Sequence, residues 1–345
     1  MKKLFLSAAF LAASLASQAQ QAPLWMRYPA ISPDGKTIVF SYKGDIYSVP
    51  ATGGEARQLT TNAAHDSYPI WSPDGKKIAF ASNREGSFDV YVMSAHGGAP
   101  TRITTNSERE IPVAFKDNDH VLFSANIMPT AESNLFASRE FSQVYEVSTQ
   151  GGRPKLYSVI PMEDISINAK GQVLYHDSKG YEDQWRKHHT SPITRDIWML
   201  DNGKYQKITA FKGEDRTPVW AADGESFYYL SEQAGSFNIY HRNIATGKDV
   251  QLTHEKKNPI RFLTSSADGL LCYGYDGEIY TVKEGAQPQK VNISITADND
   301  EPSLVRQVRS WGATEIALSP DAKEVAFVMH GDVYVTSTEY KTTKR

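Results

Sequence analysis

The sequence predicts an all-β protein: a six-bladed β-propeller of four-stranded antiparallel blades, followed by the start of a second propeller. Three observations support this prediction: short apolar runs, turn signals between the runs, and a repeat of the whole pattern. Runs of about four to six residues are typical of strands, because helices need longer runs with a 3.6-residue period. The pattern recurs every ~40 to 50 residues, as propeller blades do.

The clearest copy of the repeat is residues 68–104. Its first apolar run ends in the turn Ser72-Pro73-Asp74-Gly75. Proline there has the fixed φ that the second turn position needs, and glycine occupies the fourth position. Two further turns, at residues 83–86 and 95–98, separate the remaining runs. Runs and turns in this order predict a four-stranded antiparallel meander.

Five more copies complete the predicted propeller. Numbered along the chain, copy 1 repeats the Ser-Pro-Asp-Gly turn of copy 2. Copy 3 is degraded, and copies 5 and 6 carry Ala-Asp-Gly turns. These copies span approximately residues 28–60, 111–152, 165–209, 217–253 and 260–291.

Composition and charge exclude some classes of protein. The chain has 345 residues, of which 40% are apolar and 22% are charged, as in ordinary globular proteins. The net charge of −3 gives no broad attraction to nucleic acid. The single cysteine, Cys272, excludes an internal disulfide, and its place in a strand of the sixth copy predicts a buried, inert thiol.

The first residues predict export. Lys2 and Lys3 precede an apolar run at residues 4–15, and Ser17 and Ala19 supply the small residues of a cleavage site. Residues 1–19 are therefore predicted to be a secretory signal peptide, cleaved after Ala19. No later apolar run is long enough to insert into a membrane, so we expect an exported protein that resides in the periplasm, with full secretion as the alternative.

The pattern changes after the sixth copy. We assign residues 20–292 to the propeller, 293–312 to a polar linker and 313–345 to the first, incomplete blade of a second propeller, with three strands and no fourth. A lone partial blade has little core, which favours a chain that is the front part of a longer protein. The alternative is that the last unit closes a seventh blade, with a strand supplied from before Tyr28.

The chain combines a signal peptide, six copies with Ser-Pro-Asp-Gly and Gly-Gly turns, a linker and the first blade of a second propeller. This combination resembles the N-terminal region of tricorn-type serine peptidases. The insert at residues 180–198 is also similar to that of bacterial tricorn homologues. In that family a six-bladed propeller precedes a seven-bladed one, a PDZ domain and a catalytic region. The resemblance implies that the catalytic serine and histidine lie beyond residue 345. TolB-like and prolyl-oligopeptidase propellers share the turn motif alone.

The chain contains no motif for chemistry of its own. It lacks a Gly-x-Ser-x-Gly elbow, a His-Glu-x-x-His helix, a phosphate loop and a cysteine pair. Adjacent His188 and His189 would point to opposite faces of a strand, which argues against one shared metal. Asp298, Asp300 and Glu301 lack the glycine and distal glutamate of a calcium loop. We therefore predict no catalytic residue, no metal and no cofactor.

The sequence favours a binding role over a catalytic one. Charged residues recur between consecutive copies, where they should form a ring around one mouth of a central channel that suits a peptide. The alternative is ordinary turn and inter-blade hydrogen bonding. The residues are His65-Asp66, Arg109-Glu110, Glu163-Asp164, Glu214-Asp215-Arg216 and Lys256-Lys257.

Two long inserts, residues 126–142 and 180–196, add basic residues. Loops of this length are often functional. The resemblance implies that basic residues hold the carboxylate of a peptide, which a guanidinium matches with two hydrogen bonds. Salt bridges between domains are the alternative role. The predicted substrate-binding residues are Arg139, Arg186, Lys187, Arg109 and Arg216.

The predicted function is that of a non-catalytic module, which binds or guides peptide substrate in an exported tricorn-type serine peptidase. Its expected partners are peptides or unfolded polypeptide segments, downstream domains of the same polypeptide and, as a further possibility, a second copy of the chain. One alternative is a stand-alone, TolB-like periplasmic scaffold that binds proteins. Another is an enzyme that uses the channel itself, which would need a cluster of catalytic residues that the sequence does not reveal.

Overall fold

The computed structural model describes residues 23–126, 141–180, 190–296, 309–340 and 343–344. Within these ranges all regular structure is β-strand. Six four-stranded antiparallel sheets follow one another between residues 27 and 290, and a seventh lies between residues 315 and 344. The predicted all-β fold class is confirmed.

The strands in chain order are β1 (Arg27–Ile31), β2 (Thr37–Tyr42), β3 (Asp45–Pro50), β4 (Gly54–Glu55), β5 (Arg57–Gln58), β6 (Asp66–Trp71), β7 (Lys77–Glu85), β8 (Ser87–Ser94), β9 (Thr101–Arg102), β10 (Glu110–Phe115), β11 (His120–Ala125), β12 (Gln143–Ser148), β13 (Lys155–Ser158), β14 (Met162–Ile167), β15 (Val173–Asp177), β16 (Ile197–Asp201), β17 (Lys204–Lys207), β18 (Asp215–Trp220), β19 (Ser226–Ser231), β20 (Asn238–Asn243), β21 (Asp249–Gln251), β22 (Arg261–Ser265), β23 (Leu271–Tyr275), β24 (Glu278–Val282), β25 (Gln289–Lys290), β26 (Ile293–Ser294), β27 (Glu315–Leu318), β28 (Glu324–Met329), β29 (Asp332–Ser337) and β30 (Thr343–Lys344). The sheets are sheet 1 (β1, β2, β3, β5), sheet 2 (β6–β9), sheet 3 (β10–β13), sheet 4 (β14–β17), sheet 5 (β18–β21), sheet 6 (β22–β25) and sheet 7 (β27–β30).

The Ser-Pro-Asp-Gly turns join the first two strands of a sheet through side-chain hydrogen bonds. In sheet 1 the Ser32 hydroxyl donates to Asp34 Oδ1 over 2.6 Å, and the Lys36 amide donates to the same oxygen over 3.1 Å. These hydrogen bonds hold the pKa of Asp34 below its usual range. Gly35 takes the left-handed φ of 71° that ends the turn. The turn is therefore held by contacts between residues that are close in the sequence.

In sheets 1 to 6, the first strand carries an irregularity in its pairing with the second strand. In five of the six sheets one residue at this bulge has a left-handed backbone, and the equivalent residue of sheet 3 is Pro112. The five residues, with φ between 49° and 60°, are Tyr28, Tyr68, Asp164, Thr217 and Phe262.

The six sheets form a closed ring. The first strand of each sheet contacts the first strand of the next, and β22 of sheet 6 returns to β1 of sheet 1. Apolar cores fill the space between neighbouring sheets: one cluster joins Val39 and Ile46 of sheet 1 to Ile78 and Phe80 of sheet 2. Adjacent sheets therefore share their buried faces, as propeller blades do.

A short strand fastens the two ends of the ring. Sheet 6 and sheet 1 are each built from continuous chain, and β26 pairs in parallel with β4 beside sheet 1. The Gly54 amide donates to the Asn292 carbonyl over 2.8 Å, and Ile293 is buried in the core that sheets 1 and 6 share. The sequence assigns Ile293 to the linker and does not predict this pairing.

Sheet 7 differs from the expected incomplete blade. The prediction that it lacks a fourth strand is wrong, because β30 pairs with Val335 and Thr336 of β29. A strand of two polar residues has no apolar alternation, so the sequence pattern could not reveal it. Sheet 7 contacts the ring through an ion pair, in which Glu315 Oε1 lies 3.6 Å from Arg27 Nη2.

Cys272 lies on β23 and is fully buried, as predicted, and burial raises the pKa of its thiol. Among the described residues, no helix is long and apolar enough to cross a membrane. The predicted signal peptide lies outside the described residues.

Candidate functional site

A central cavity of about 800 Å³ runs through the ring, lined by the first strands of all six sheets. We call the end where these strands begin the strand-start mouth. All six bulge residues line the cavity: Tyr28, Tyr68, Pro112, Asp164, Thr217 and Phe262. The six repeats thus place non-identical side chains at equivalent positions around one mouth.

Three aromatic rings occupy adjacent sheets at this mouth. We call Tyr28, Tyr68 and Phe262 the aromatic wall. The ring centroids of Tyr28 and Tyr68 are 4.0 Å apart, and those of Tyr28 and Phe262 are 4.7 Å apart. The Tyr28 hydroxyl donates to the Tyr68 hydroxyl over 3.0 Å. Burial, reinforced by Tyr68, raises the pKa of Tyr28, so its hydroxyl stays neutral.

Arg109, one of the predicted substrate-binding residues, lies beside the aromatic wall. Its Nη2 donates to the Tyr68 hydroxyl over 3.2 Å. Its guanidinium carbon lies 5.8 Å from the centroid of the Tyr68 ring and 5.6 Å from that of Phe88, within cation–π range. Arg109 is exposed and lines the cavity. It therefore offers a positive charge at the strand-start mouth.

Sheet 4 contributes a carboxylate wall, defined as Glu163 and Asp164. His176 connects this wall to sheet 5. Its Nε2 lies 3.0 Å from Glu163 Oε2, and its Nδ1 accepts a hydrogen bond from the Thr217 amide over 3.3 Å. An accepting Nδ1 puts the imidazole proton on Nε2, so His176 donates to Glu163. The Thr217 hydroxyl donates to Asp164 Oδ2 over 2.6 Å.

Glu163 is ionised at neutral pH. Burial pushes its pKa up, but the hydrogen bond from His176 and the charge of Arg195 outweigh burial and hold the pKa well below its usual range. Arg195 Nε lies 3.4 Å from Glu163 Oε2. The carboxylate wall therefore presents negative charge to the cavity, across from the aromatic wall.

Arg216, a second predicted binding residue, lines the cavity but is only 8% exposed. Its Nη2 lies 2.5 Å from Glu214 Oε1, and Arg195 Nη1 lies 2.9 Å from the same oxygen. The guanidinium carbon of Arg216 also lies 5.4 Å from the Phe237 ring centroid. Arg216 is thus held in a buried network that braces this side of the mouth.

The predicted ring of charges is only partly at the channel. Arg109, Glu163, Asp164 and Arg216 line the cavity. The other charged residues of the predicted ring do not line it. Four acids of the predicted ring are buried outside the cavity lining: Asp66, Glu110, Glu214 and Asp215. Three further charged or titratable residues of that ring also lie outside the lining: His65, Lys256 and Lys257.

The buried acids lie where one sheet meets the next. Burial, together with the neighbouring Asp89, raises the pKa of Glu110 to about 7 despite the opposing effect of the nearby Thr104. Burial likewise raises the pKa of Asp215 to about 7, with Asp196 adding to the shift. These acids are therefore part of the junctions between sheets.

Three predicted binding residues, Arg139, Arg186 and Lys187, lie outside the described residues, and their role stays a prediction. So do His188, His189 and the acids at 298–301. Within the described part of the chain, no group of three or more His, Cys, Asp or Glu side chains could hold a metal ion.

Sequence reasoning missed the aromatic wall and His176. A signal for the wall was present, because Tyr28-Pro29 and Tyr68-Pro69 occupy the same position of two copies. His176 lies on β15, one strand away from the carboxylate wall, and pairs with Glu163 in register. Its role follows from strand pairing and not from any local motif.

A ring of four-stranded antiparallel sheets around a central cavity defines the class of protein: a β-propeller. The chain belongs to the family of tricorn protease N-terminal β-propeller domains, whose family model matches residues 23–288. A comparison with curated protein sequences found no significant match.

Solved structures resemble the chain in fold. Tricorn protease matches with a TM-score of 0.68 and 20% identity, over 93% of this chain and 31% of its own. A puromycin hydrolase S511A mutant matches with a TM-score of 0.51 and 12% identity, over 96% of this chain and 54% of its own. TolB from Acinetobacter baumannii gives a TM-score of 0.48 and 13% identity, over 90% of this chain and 76% of its own. The chain thus spans less than a third of the tricorn protease chain.

Proposed function

We propose that this propeller is a non-catalytic module that binds or guides peptide substrate in the central cavity, and that it serves an exported serine peptidase of tricorn type. The observation that carries the proposal is the cavity of about 800 Å³ with its asymmetric mouth. Membership of the tricorn propeller family supports the peptidase context. Export is proposed from the apolar run at residues 4–15 and the cleavage site after it.

The chemistry of the mouth fits a peptide. Ligand sites are typically concave and of about 300–1,000 Å³, with apolar walls and a few placed polar groups. Here aromatic rings, a guanidinium and two carboxylates share one mouth. An extended peptide presents amide donors, carbonyl acceptors and side chains of several kinds, so it can contact all three. A small apolar ligand would make no hydrogen bond to the charged groups of the mouth and would shield them from water, which is unfavourable.

Peptide binding can be tested with a variant that fills the cavity. Ile111 is half-buried and lines the cavity on sheet 3. An Ile111→Trp substitution should obstruct the mouth and weaken the binding of an unstructured, fluorescein-labelled peptide of about ten residues by about tenfold or more. Val250→Trp is the matched control, because Val250 is 44% exposed on the outer strand of sheet 5.

Fluorescence anisotropy gives the affinity, and thermal melting confirms that both variants fold. The proposal predicts saturable binding by the unmodified chain and by Val250→Trp. It is wrong if no peptide binds, or if Ile111→Trp binds as tightly as the control.

A further inference from the structure

We infer that the aromatic wall of Tyr28, Tyr68 and Phe262 is a subsite for an aromatic side chain of a peptide. This inference rests on the proposed function, because it names which peptides the cavity selects. Three independent features of the strand-start mouth lead to it: the backbone at the bulge, the arrangement of the rings and the charges around them.

The backbone at the bulge does not account for aromatic residues. Tyr28, Tyr68 and Phe262 have φ values of 52°, 55° and 60°, a region that bulky L-residues rarely adopt. The equivalent positions on the far side of the mouth are filled by Asp164 and Thr217. Because smaller side chains satisfy the same bulge, the three rings are not required by the turn of the chain. Strained residues of this kind cluster at ligand-binding sites.

The rings form an open surface and not a closed core. Tyr28, Tyr68 and Phe262 are each only half-buried, in contrast to core rings such as Phe40 and Phe80, which are fully buried. The planes of Tyr28 and Tyr68 are tilted by 30°, and those of Tyr28 and Phe262 by 60°. Aromatic pairs prefer offset or edge-to-face contacts with centroids roughly 4.5–7 Å apart. A further ring entering the cavity can meet this wall in either geometry.

Apolar neighbours extend the wall toward the cavity. Pro29, Pro69 and Ile70 follow the two tyrosines on β1 and β6 and line the cavity. Ile111 adds an apolar side chain from sheet 3. An aromatic side chain at this place would therefore be removed from water on several sides, which is the main source of favourable free energy for such a group.

Charges of both signs surround the mouth, because Arg109, Arg216 and Arg261 line the cavity together with Glu163 and Asp164. Glu163 is ionised and lies with Asp164 on the carboxylate wall, so an acidic side chain there would meet like charge. Arg109 is already placed against the Tyr68 and Phe88 rings, where its charge extends the aromatic surface. The favoured ligand is consequently an extended peptide whose aromatic side chain lies at the aromatic wall, away from the carboxylate wall.

The test compares peptides that differ at one position. Labelled Gly/Ser peptides of about ten residues carry Phe, Ser or Glu at the centre, and anisotropy gives their affinities. The Phe peptide should bind about tenfold more tightly than the Ser peptide, and also more tightly than the Glu peptide. Tyr28→Asn and Tyr68→Asn should reduce the preference for Phe over Ser to below about threefold, since asparagine tolerates the left-handed backbone.

Two further variants separate the ring from other effects. Tyr68→Phe keeps the ring and should keep the preference. Tyr205→Asn removes a tyrosine that is 46% exposed on the outer strand β17 and should also keep it. Equal affinities for the Phe and Ser peptides overturn this inference alone, as does a preference that survives both asparagine variants at the wall. Failure of every peptide to bind refutes the proposed function, and this inference with it.

Discussion

Asp215 provides the sharpest prediction about stability. It opens β18, is fully buried, and its amide donates to the Arg195 carbonyl over 3.1 Å. Burial first, and then the charges of Asp196 and Asp249, raise its pKa to about 7, against the hydroxyls of Ser231 and Thr209. The folded protein therefore keeps a proton on Asp215 in a pH range where the unfolded chain has lost it.

The sign of the pH dependence follows directly. The usual pKa is 3.8 and the folded pKa is about 7, so the folded state binds more protons than the unfolded state between these values. Stability therefore falls as pH rises from 3.8 to 7 and is constant above that range. The folded and unfolded pKa values of Asp215 differ by about 3. At about 1.36 kcal/mol for each pKa unit, the free energy of unfolding can fall by at most about 4 kcal/mol over this pH range.

The perturbation is Asp215→Asn, which keeps the shape and removes the ionisation. At pH 8 the variant should be more stable than the unmodified protein by between about 1 and about 4 kcal/mol. At pH 4, where Asp215 is largely neutral in both states, the two should agree within about 1 kcal/mol. Urea unfolding followed by tryptophan fluorescence at several pH values measures the difference.

Glu225→Gln is the matched control. It removes a carboxylate from the exposed turn that joins β18 and β19, and its effect on stability should be small at every pH. Glu110 also has a raised pKa, about 7, so some pH dependence remains in Asp215→Asn. The reasoning is refuted if the stability difference between Asp215→Asn and the unmodified protein does not change with pH, or if it favours the unmodified protein as pH rises.

Three further substitutions test other parts of the fold. Gly53→Ala should lower stability by about 2 kcal/mol or more, because its Cβ would lie 2.6 Å from the Asn292 carbonyl oxygen at a φ of 89°; an unchanged melting temperature would contradict the fastening role of β26. Ala322→Gly should stabilise sheet 7 by about 1 kcal/mol, because Ala322 has a φ of 58°; slower amide exchange in β28 would show it, and faster exchange would count against it. Glu214→Gln should cost about 3–5 kcal/mol, because it leaves two buried guanidinium groups without their shared carboxylate; a melting temperature within 1–2 °C of the unmodified protein would be inconsistent with that network.

Local patterns were sufficient to predict the fold. Alternating apolar residues and short turns are set within each copy, and the Ser32–Asp34 hydrogen bonds show that the turn is determined by neighbouring residues. Because each sheet is built from continuous chain, the repeat in the sequence maps onto a repeat in space. Strands of two residues, such as β26 and β30, escaped prediction because they are too short to show a period.

The candidate site was harder to predict, because it depends on strand register. Whether Asp215 or Arg216 faces the channel is decided by the bulge in β18, which no pattern of charges reveals. The sequence therefore placed both at the mouth, whereas only Arg216 lines the cavity. His176 reaches Glu163 from the neighbouring strand, a contact that exists only once β14 and β15 pair.

The central claim is that peptide binds inside the ring at the strand-start mouth, and photo-crosslinking tests it most directly. A peptide of about ten residues with benzoylphenylalanine at its centre would be bound and irradiated, and the attached residues identified by mass spectrometry. The account predicts crosslinks to Tyr28, Tyr68, Ile111 or Phe262, which competition with unlabelled peptide removes and the Ile111→Trp substitution reduces. Crosslinks confined to outer strands, such as β17 or β21, would contradict it.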